Sequence, residues 1–81
     1  MYYVYMLKSK GIKSLTYVGY TKNLQNRIRL HNTGKGAKFT RGRKWKLIYK
    51  EKYKTKSKAI SREYYIKKNR LIRNKIKNLY K

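Results

Sequence analysis

The chain has 81 residues, with 25 lysines and arginines against two acidic side chains, giving a net charge of +23 with its single histidine neutral. A chain of this length holds one domain with a small core. It has no cysteine or aspartate, which excludes structural zinc sites, thiol chemistry, disulfides and pairs of metal ions clamped by carboxylate clusters.

The positive charge predicts an anionic partner, and nucleic acid is the commonest. A membrane surface would instead suit a single amphipathic basic helix, and glycine-punctuated strands argue against that. No stretch approaches the roughly 20 apolar residues that span a bilayer, and residues 1–7 lack the features of a signal peptide. We therefore expect a cytoplasmic monomer without a membrane partner, which another protein could target to its site of action.

The first half of the chain predicts a hairpin followed by a helix. Residues 2–7 and 15–20 are aromatic and β-branched runs, typical of strands, and a glycine-containing turn separates them. Gly19, near the end of the second run, indicates a bulge or a close approach of the backbone. A helix should begin at about Leu24 and end at residues 32–34.

The second half predicts one more strand and further helix. Residues 45–53 alternate between apolar and mostly basic side chains, which predicts a third strand with one solvated face. Thr55 or Ser57 would cap a long helix, and helical spacing of apolar residues continues in a basic tail at about 67–81. The chain, residues 1–81, is therefore predicted to be one small α/β domain.

Glu63 is the most informative position. At helical spacing it falls near the middle of an apolar stripe formed by Ala59, Ile60, Tyr64 and Ile66. A carboxylate there loses hydration, so it needs a positive partner or a metal ion. It could form a structural ion pair, or it could bind one divalent cation that water and substrate phosphate complete.

Arg27 and His31 are spaced i, i+4 and share a helix face. They could be a solvated cation and an ordinary buried histidine. Alternatively, both could converge on one phosphate, with the guanidinium binding two of its oxygens and the imidazole near the attacking or leaving oxygen.

The remaining aromatic residues also have two interpretations. The hairpin tyrosines, among them Tyr5 and Tyr17, are core or platform residues by default. In the field of +23 a phenolate is favoured, so we expect that one phenol could act as a base toward water. Phe39 and Trp45, beside a basic loop, could stack on unpaired bases, although their default role is also core.

Two short runs resemble the paired strand motif of the GIY-YIG nucleases. They are Tyr3-Val4-Tyr5 and, after a turn, Tyr17-Val18-Gly19. Residues 27–41 and 59–68 resemble the small stand-alone members of that family, in the same order and at compatible spacing. The resemblance covers almost the whole chain, as a single domain.

This resemblance implies an α/β (α+β) fold with a three-stranded antiparallel sheet flanked by helices, in the order β-β-α-β-α(-α). It implies a metal-dependent endonuclease that hydrolyses nucleic-acid phosphodiester bonds, with DNA favoured, single-stranded or branched. The catalytic residues of the family map to Tyr5, Tyr17, Arg27, His31 and Glu63. The residues expected to contact nucleic acid are Lys35, Lys38, Thr40, Arg41, Arg43 and Lys67.

The resemblance also implies a role for three of these residues. Glu63 would hold one Mg²⁺ or Mn²⁺ ion that stabilises charge on the leaving oxygen. Arg27 would neutralise the scissile phosphate, and a tyrosine, Tyr5 in our assignment, would help to activate the attacking water. One metal needs only one carboxylate, which agrees with the scarcity of acidic residues.

A non-catalytic basic module that binds RNA or DNA explains the charge and the aromatic residues equally well. The separation of Glu63 from Arg27 distinguishes the two functions, because side chains on opposite faces of the fold would decide for the binding module. The sequence leaves open whether the substrate is DNA or RNA. It also leaves open whether a downstream asparagine takes part, the candidates being Asn69, Asn74 and Asn78.

Overall fold

The computed structural model describes residues 1–11 and 13–79. It has three strands, Tyr2–Ser9 (β1), Thr16–Thr21 (β2) and Trp45–Tyr53 (β3), and three α-helices, Leu24–Asn32 (α1), Lys56–Lys68 (α2) and Arg70–Leu79 (α3). The strands form one antiparallel sheet in the order β2-β1-β3. The predicted α+β fold and its element order β-β-α-β-α-α are confirmed. Residues 80 and 81 of the predicted tail lie outside the described residues.

The central strand β1 is buried on both faces. Val4 and Met6 pack against Ala59 and Ile66 of α2. Tyr5 and Leu7 of β1 pack on the other face, where α1 lies. Because alternate residues of a strand point to opposite faces, α1 and α2 cover opposite sides of the sheet.

A bulge divides β3 into two halves. Met6 pairs with Tyr49 but its neighbour Leu7 pairs with Leu47, which leaves Ile48 as the extra residue. A bulge reverses the alternation of side chains, so the residues before it face α1 and those after it face α2. The prediction of one solvated face along the whole strand is therefore wrong, since the two halves bury different faces.

The helix boundaries follow from side-chain caps. The side chain of Asn23 caps α1, Gly34 with φ +80° follows its end, and the hydroxyl of Thr55 caps α2. Asn69 divides the predicted tail helix, because its side-chain oxygen accepts a hydrogen bond from the Ile72 amide at 3.1 Å and starts α3. None of the helices in the described part of the chain is long and apolar enough to cross a membrane.

Glu51 fastens α2 to β3. The Arg62 guanidinium donates to both of its oxygens at 2.9 and 3.0 Å, and the hydroxyls of Tyr49 and Tyr53 also donate to it. Burial alone would raise the pKa of Glu51, but the hydrogen bonds outweigh burial and lower it below its ordinary value. This carboxylate is therefore a structural charge with every oxygen engaged.

We expect Glu51→Gln to lower the free energy of unfolding by about 2 kcal/mol at pH 7, because an amide cannot accept from all four donor groups. Since folding depresses the pKa of Glu51, its contribution is complete above the ordinary value of 4.5 and is lost as the pH falls below it. Denaturant titrations at pH 7 and pH 3 should therefore show a smaller difference between variant and wild type at pH 3.

The matched control is Glu63→Gln. Glu63 has one ion pair, to Lys67 at 3.7 Å, and the Lys67 side chain is 56% exposed. The Glu63 side chain is only 16% exposed, but it has one long ion pair where Glu51 accepts four hydrogen bonds, so we expect a smaller loss of about 1 kcal/mol or less. Equal losses in the two variants would contradict the structural role of Glu51.

Candidate active site

Tyr5 and His31 form a hydrogen-bonded pair in the interior. The Tyr5 hydroxyl lies 2.8 Å from Nε2 of His31, and Nδ1 of His31 lies 2.9 Å from Oγ1 of Thr40. The Thr40 hydroxyl donates its own proton to the Ala37 carbonyl at 2.8 Å, so its oxygen is the acceptor for His31. Nδ1 therefore carries the imidazole proton, and Nε2 accepts the phenol proton of Tyr5.

Burial determines the protonation state of this pair. Desolvation, with a smaller contribution from the charge of Arg27, lowers the pKa of His31 to about 4. Burial raises the pKa of Tyr5 to about 12, against the opposing effect of Arg27. The expectation that the positive field favours a phenolate is wrong for Tyr5, because lost hydration outweighs the attraction of nearby cations.

Arg27 and Tyr17 complete the group on this face of the sheet. The hydroxyls of Tyr5 and Tyr17, above all that of Tyr5, interact with the Arg27 guanidinium and raise its pKa above the ordinary value. The Tyr17 ring centroid lies 4.9 Å from that of His31 and 6.4 Å from that of Tyr5. Four of the five predicted catalytic side chains are thus in mutual contact range.

Glu63 belongs to α2, on the opposite face of the sheet from Arg27 on α1, an arrangement that by itself favours a binding module. Both charges nevertheless affect the pKa of the Tyr5 phenol. Burial is the main cause of its shift, and in addition Arg27 lowers this pKa and Glu63 raises it. The Tyr5 hydroxyl lies over Gly19 of β2, at the edge of the sheet. The effect of Glu63 on the pKa of Tyr5 is the smallest of those named, and the contact of Glu63 is with Lys67 on its own helix.

The predicted apolar stripe of α2 is partly wrong. Ala59 and Ile66 are buried, but Ile60 and Tyr64 are 41% and 61% exposed. Arg62 extends toward the sheet and reaches Glu51. The buried face of the helix is therefore rotated away from the centre of the predicted apolar stripe. Glu63 consequently lies at the border of the buried face instead of its middle.

Two glycines make room for the Tyr5–His31 pair. A Cβ atom at Gly19 would lie 2.6 Å from the Tyr5 hydroxyl, and one at Gly36 would lie 2.5 Å from Nδ1 and 3.0 Å from Cα of His31. The close approach predicted at Gly19 is confirmed. Sequence reasoning did not identify Gly36, because nothing in a loop of small and basic residues signals contact with the preceding helix.

Thr40, which the sequence predicts to contact nucleic acid, has no exposed surface and holds the imidazole of His31 instead. It is fully buried in a 3₁₀ helix, Lys38–Thr40, where its hydroxyl holds His31 and its carbonyl accepts from Nε1 of Trp45 at 2.9 Å. The Asn32 side chain accepts from the Trp45 amide at 2.6 Å and donates to its carbonyl at 3.2 Å. Both ends of the loop are thereby fixed around the imidazole.

The other predicted contact residues of the loop are exposed, namely Lys35, Lys38, Arg41 and Arg43. Phe39 lies among them, is 54% exposed, and its ring stacks near that of Tyr17 with centroids 6.2 Å apart and an interplanar angle of 22°. Trp45 is buried, so only Phe39 offers a free ring face here. Lys67 is also exposed but pairs with Glu63.

Glu63 is the residue that would hold the predicted metal ion. Within residues 1–11 and 13–79 no group of three or more His, Cys, Asp or Glu side chains could hold a metal ion. Glu63 offers a single carboxylate whose ion pair with Lys67 is long, 3.7 Å. Magnesium is commonly held by one or two carboxylates, with water and substrate phosphate as the other ligands, so the single Mg²⁺ or Mn²⁺ ion stays a prediction.

A family model described as the GIY-YIG catalytic domain matches residues 1–80. The chain belongs to the GIY-YIG family. The UPF0213 protein CPE1444 of Clostridium perfringens is 58% identical over 69 residues, which cover 84% of this chain and 72% of that protein. The UPF0213 protein YazA of Bacillus subtilis is 41% identical over 80 residues, covering 98% of this chain and 76% of that protein. No solved structure gives a significant match.

We expect the ring signals of His31, the only histidine, to titrate near pH 4 in NMR spectra of this GIY-YIG domain. Because folding lowers this pKa below the ordinary 6.5, the unfolded state binds the proton more readily, and stability should fall as the pH drops from 6.5 toward 4. Thr40→Val should disturb the tautomer seen in nitrogen shifts, whereas Thr40→Ser should preserve it. A folded-state pKa near 6.5 would contradict the buried pair.

We expect Gly36→Ala to displace His31 and to destabilise the fold by about 1–3 kcal/mol, because the new methyl group meets both the ring and the backbone of His31. Gly42→Ala is the control, since Gly42 has φ +78° but open space around it. It should cost about 1 kcal/mol by backbone strain alone and leave the His31 signals unchanged. Thermal unfolding and NMR would measure both effects, and an unshifted His31 in Gly36→Ala would refute the contact.

Proposed function

We propose that this GIY-YIG domain is a metal-dependent endonuclease that hydrolyses nucleic-acid phosphodiester bonds, with DNA as the favoured substrate. One observation carries the proposal: the Tyr5 hydroxyl lies 2.8 Å from Nε2 of His31 while the charges of Arg27 and Glu63 both act on it. A proton acceptor thus contacts the Tyr5 oxygen, Arg27 interacts with it, and the Glu63 carboxylate has a smaller electrostatic effect on it.

Tyr5 and His31 provide a route for the proton of the attacking water. Tyr5 can accept that proton while it passes its own to Nε2 of His31, so no phenolate has to accumulate. An imidazole with a pKa of about 4 is a weak base in the free protein. A phosphate bound to Arg27 would offset the charge that helps to depress this pKa, so substrate binding would make His31 more basic.

Arg27 would bind the non-bridging oxygens of the scissile phosphate, since a guanidinium matches two phosphate oxygens at once. Tyr17, which interacts with Arg27 and packs on His31, would keep the guanidinium in place. Glu63 would hold the Mg²⁺ or Mn²⁺ ion, which when bound supplies positive charge for the leaving oxygen. Lys67, released from its ion pair, would be free to contact the same phosphate.

The loop would bind the substrate on either side of the cleavage point. Its exposed cations suit the phosphate backbone, and the free face of Phe39 suits an unpaired base. Bases of a duplex are already stacked on one another, so the exposed ring supports a single-stranded or branched substrate.

One observation favours the non-catalytic alternative, a basic module that binds RNA or DNA. α1 and α2 lie on opposite faces of the sheet, and Glu63 already has a partner in Lys67. The two functions differ in one measurable property, cleavage.

We expect purified protein to cleave labelled single-stranded or flapped DNA with Mg²⁺ or Mn²⁺, and Glu63→Gln to lose about 100-fold or more of this activity. Duplex DNA and single-stranded RNA are the comparison substrates. Glu51→Gln removes the same charge from a structural position, so below its unfolding temperature it should retain activity. Equal cleavage by Glu63→Gln and wild type would refute the role of Glu63, and no cleavage of any substrate would refute the endonuclease.

A further inference from the structure

A second aromatic and basic surface lies between α2 and α3. Five side chains define this α2–α3 groove: Tyr64, Tyr65, Lys68, Arg70 and Leu71. Its volume of about 620 Å³ falls within the range of roughly 300–1,000 Å³ typical of ligand sites.

The groove is separate from the candidate active site. At about 100° per residue, Tyr64 and Lys68 lie on the side of α2 opposite Ala59 and Ile66, which pack against the sheet. Tyr5 and its partners lie on the far face of that sheet. Binding in the groove would therefore contact none of Tyr5, Tyr17, Arg27 and His31, although Glu63 lies on the same helix as the groove.

Its apolar members are unusually exposed for a small domain. Leu71 is 81% exposed, Tyr64 61% and Tyr65 49%, and they are adjacent. Contiguous exposed apolar surface of this kind marks interaction sites more often than chance. The two rings also have cations at their faces, Lys68 Nζ at 5.5 Å from the Tyr64 centroid and Arg62 Cζ at 5.3 Å from that of Tyr65.

The charge of the surroundings identifies the occupant. Both side-chain carboxylates of the chain are engaged elsewhere, Glu51 with Arg62 and Glu63 with Lys67. The groove is therefore positive, and a second copy of a chain with charge +23 would be repelled. Duplex nucleic acid would contact only the cations, because its bases are stacked inside the helix.

We propose that the α2–α3 groove binds an unpaired strand of nucleic acid outside the active site, with a base stacked on Tyr64 and phosphates on Lys68 and Arg70. Aromatic rings flanked by cations are the general means of holding single strands without sequence preference. The proposal shares with the proposed function only the nucleic-acid partner and requires no catalysis. A strand held there and at the active site would be bound at two points, which strengthens binding without new contacts.

The test is fluorescence anisotropy without divalent metal, using a labelled oligothymidylate and an abasic strand of the same length. Tyr64→Ala should weaken binding of oligothymidylate about 10-fold or more and leave the abasic strand unchanged, because stacking contributes about 1–3 kcal/mol per base. Tyr64→Phe should bind like wild type. Tyr64→Leu keeps apolar area but removes the ring, and it should be as weak as Tyr64→Ala.

A pair of lysine variants tests the contribution of charge to binding in the groove. Lys68→Ala should weaken binding of both strands more than Lys13→Ala, which removes the same charge from an exposed position in the β1–β2 loop. Circular dichroism would verify the fold of each variant. Because Tyr64 is 61% exposed, we expect its variants to fold.

Three results would overturn the proposal: unchanged binding by Tyr64→Ala, equal weakening on both strands, or wild-type affinity of Tyr64→Leu. The last would indicate an apolar protein partner. The assay contains no metal and measures no cleavage, so its result does not depend on whether the protein is a nuclease.

Discussion

The hydrogen bonds of one buried imidazole hold the candidate site together. His31 on α1 accepts from Tyr5 on β1 and donates to Thr40 in the loop before β3, so three separate segments meet at one ring. Because His31 and Thr40 are fully buried, a broken bond would leave a polar atom without water to replace the partner. The loop that carries the exposed cations and Phe39 is thereby held beside the imidazole.

The two acidic side chains have different surroundings and therefore different uses. Glu51 accepts from a guanidinium and two phenols, which leaves no oxygen free for a ligand and makes it part of the α2–β3 contact. Glu63 has only a long ion pair with an exposed lysine, which a divalent cation could displace at little energetic cost. In a chain of charge +23, Glu63 is thus a half-buried carboxylate with a single long ion pair.

The sequence predicts most of the fold because its strands and helices have clear composition and caps, and the family motif identifies the side chains that meet at Tyr5. Other features depend on contacts between distant residues. The bulge at Ile48 arises from pairing register, the placement of Thr40 from its bond to His31, and the orientation of α2 from the bond between Arg62 and Glu51. Local composition contains no signal for any of them.

The net charge of the chain affects its candidate base as well as its affinity for a polyanion. Every cation near His31 makes protonation of the ring more difficult, and Arg27 is the one that acts on it directly. A bound phosphate backbone would offset this positive field by pairing with Arg27 and with the cations of the loop. The Tyr5–His31 pair would then accept a proton most readily when substrate is present, whereas the free protein holds a neutral imidazole and an intact phenol.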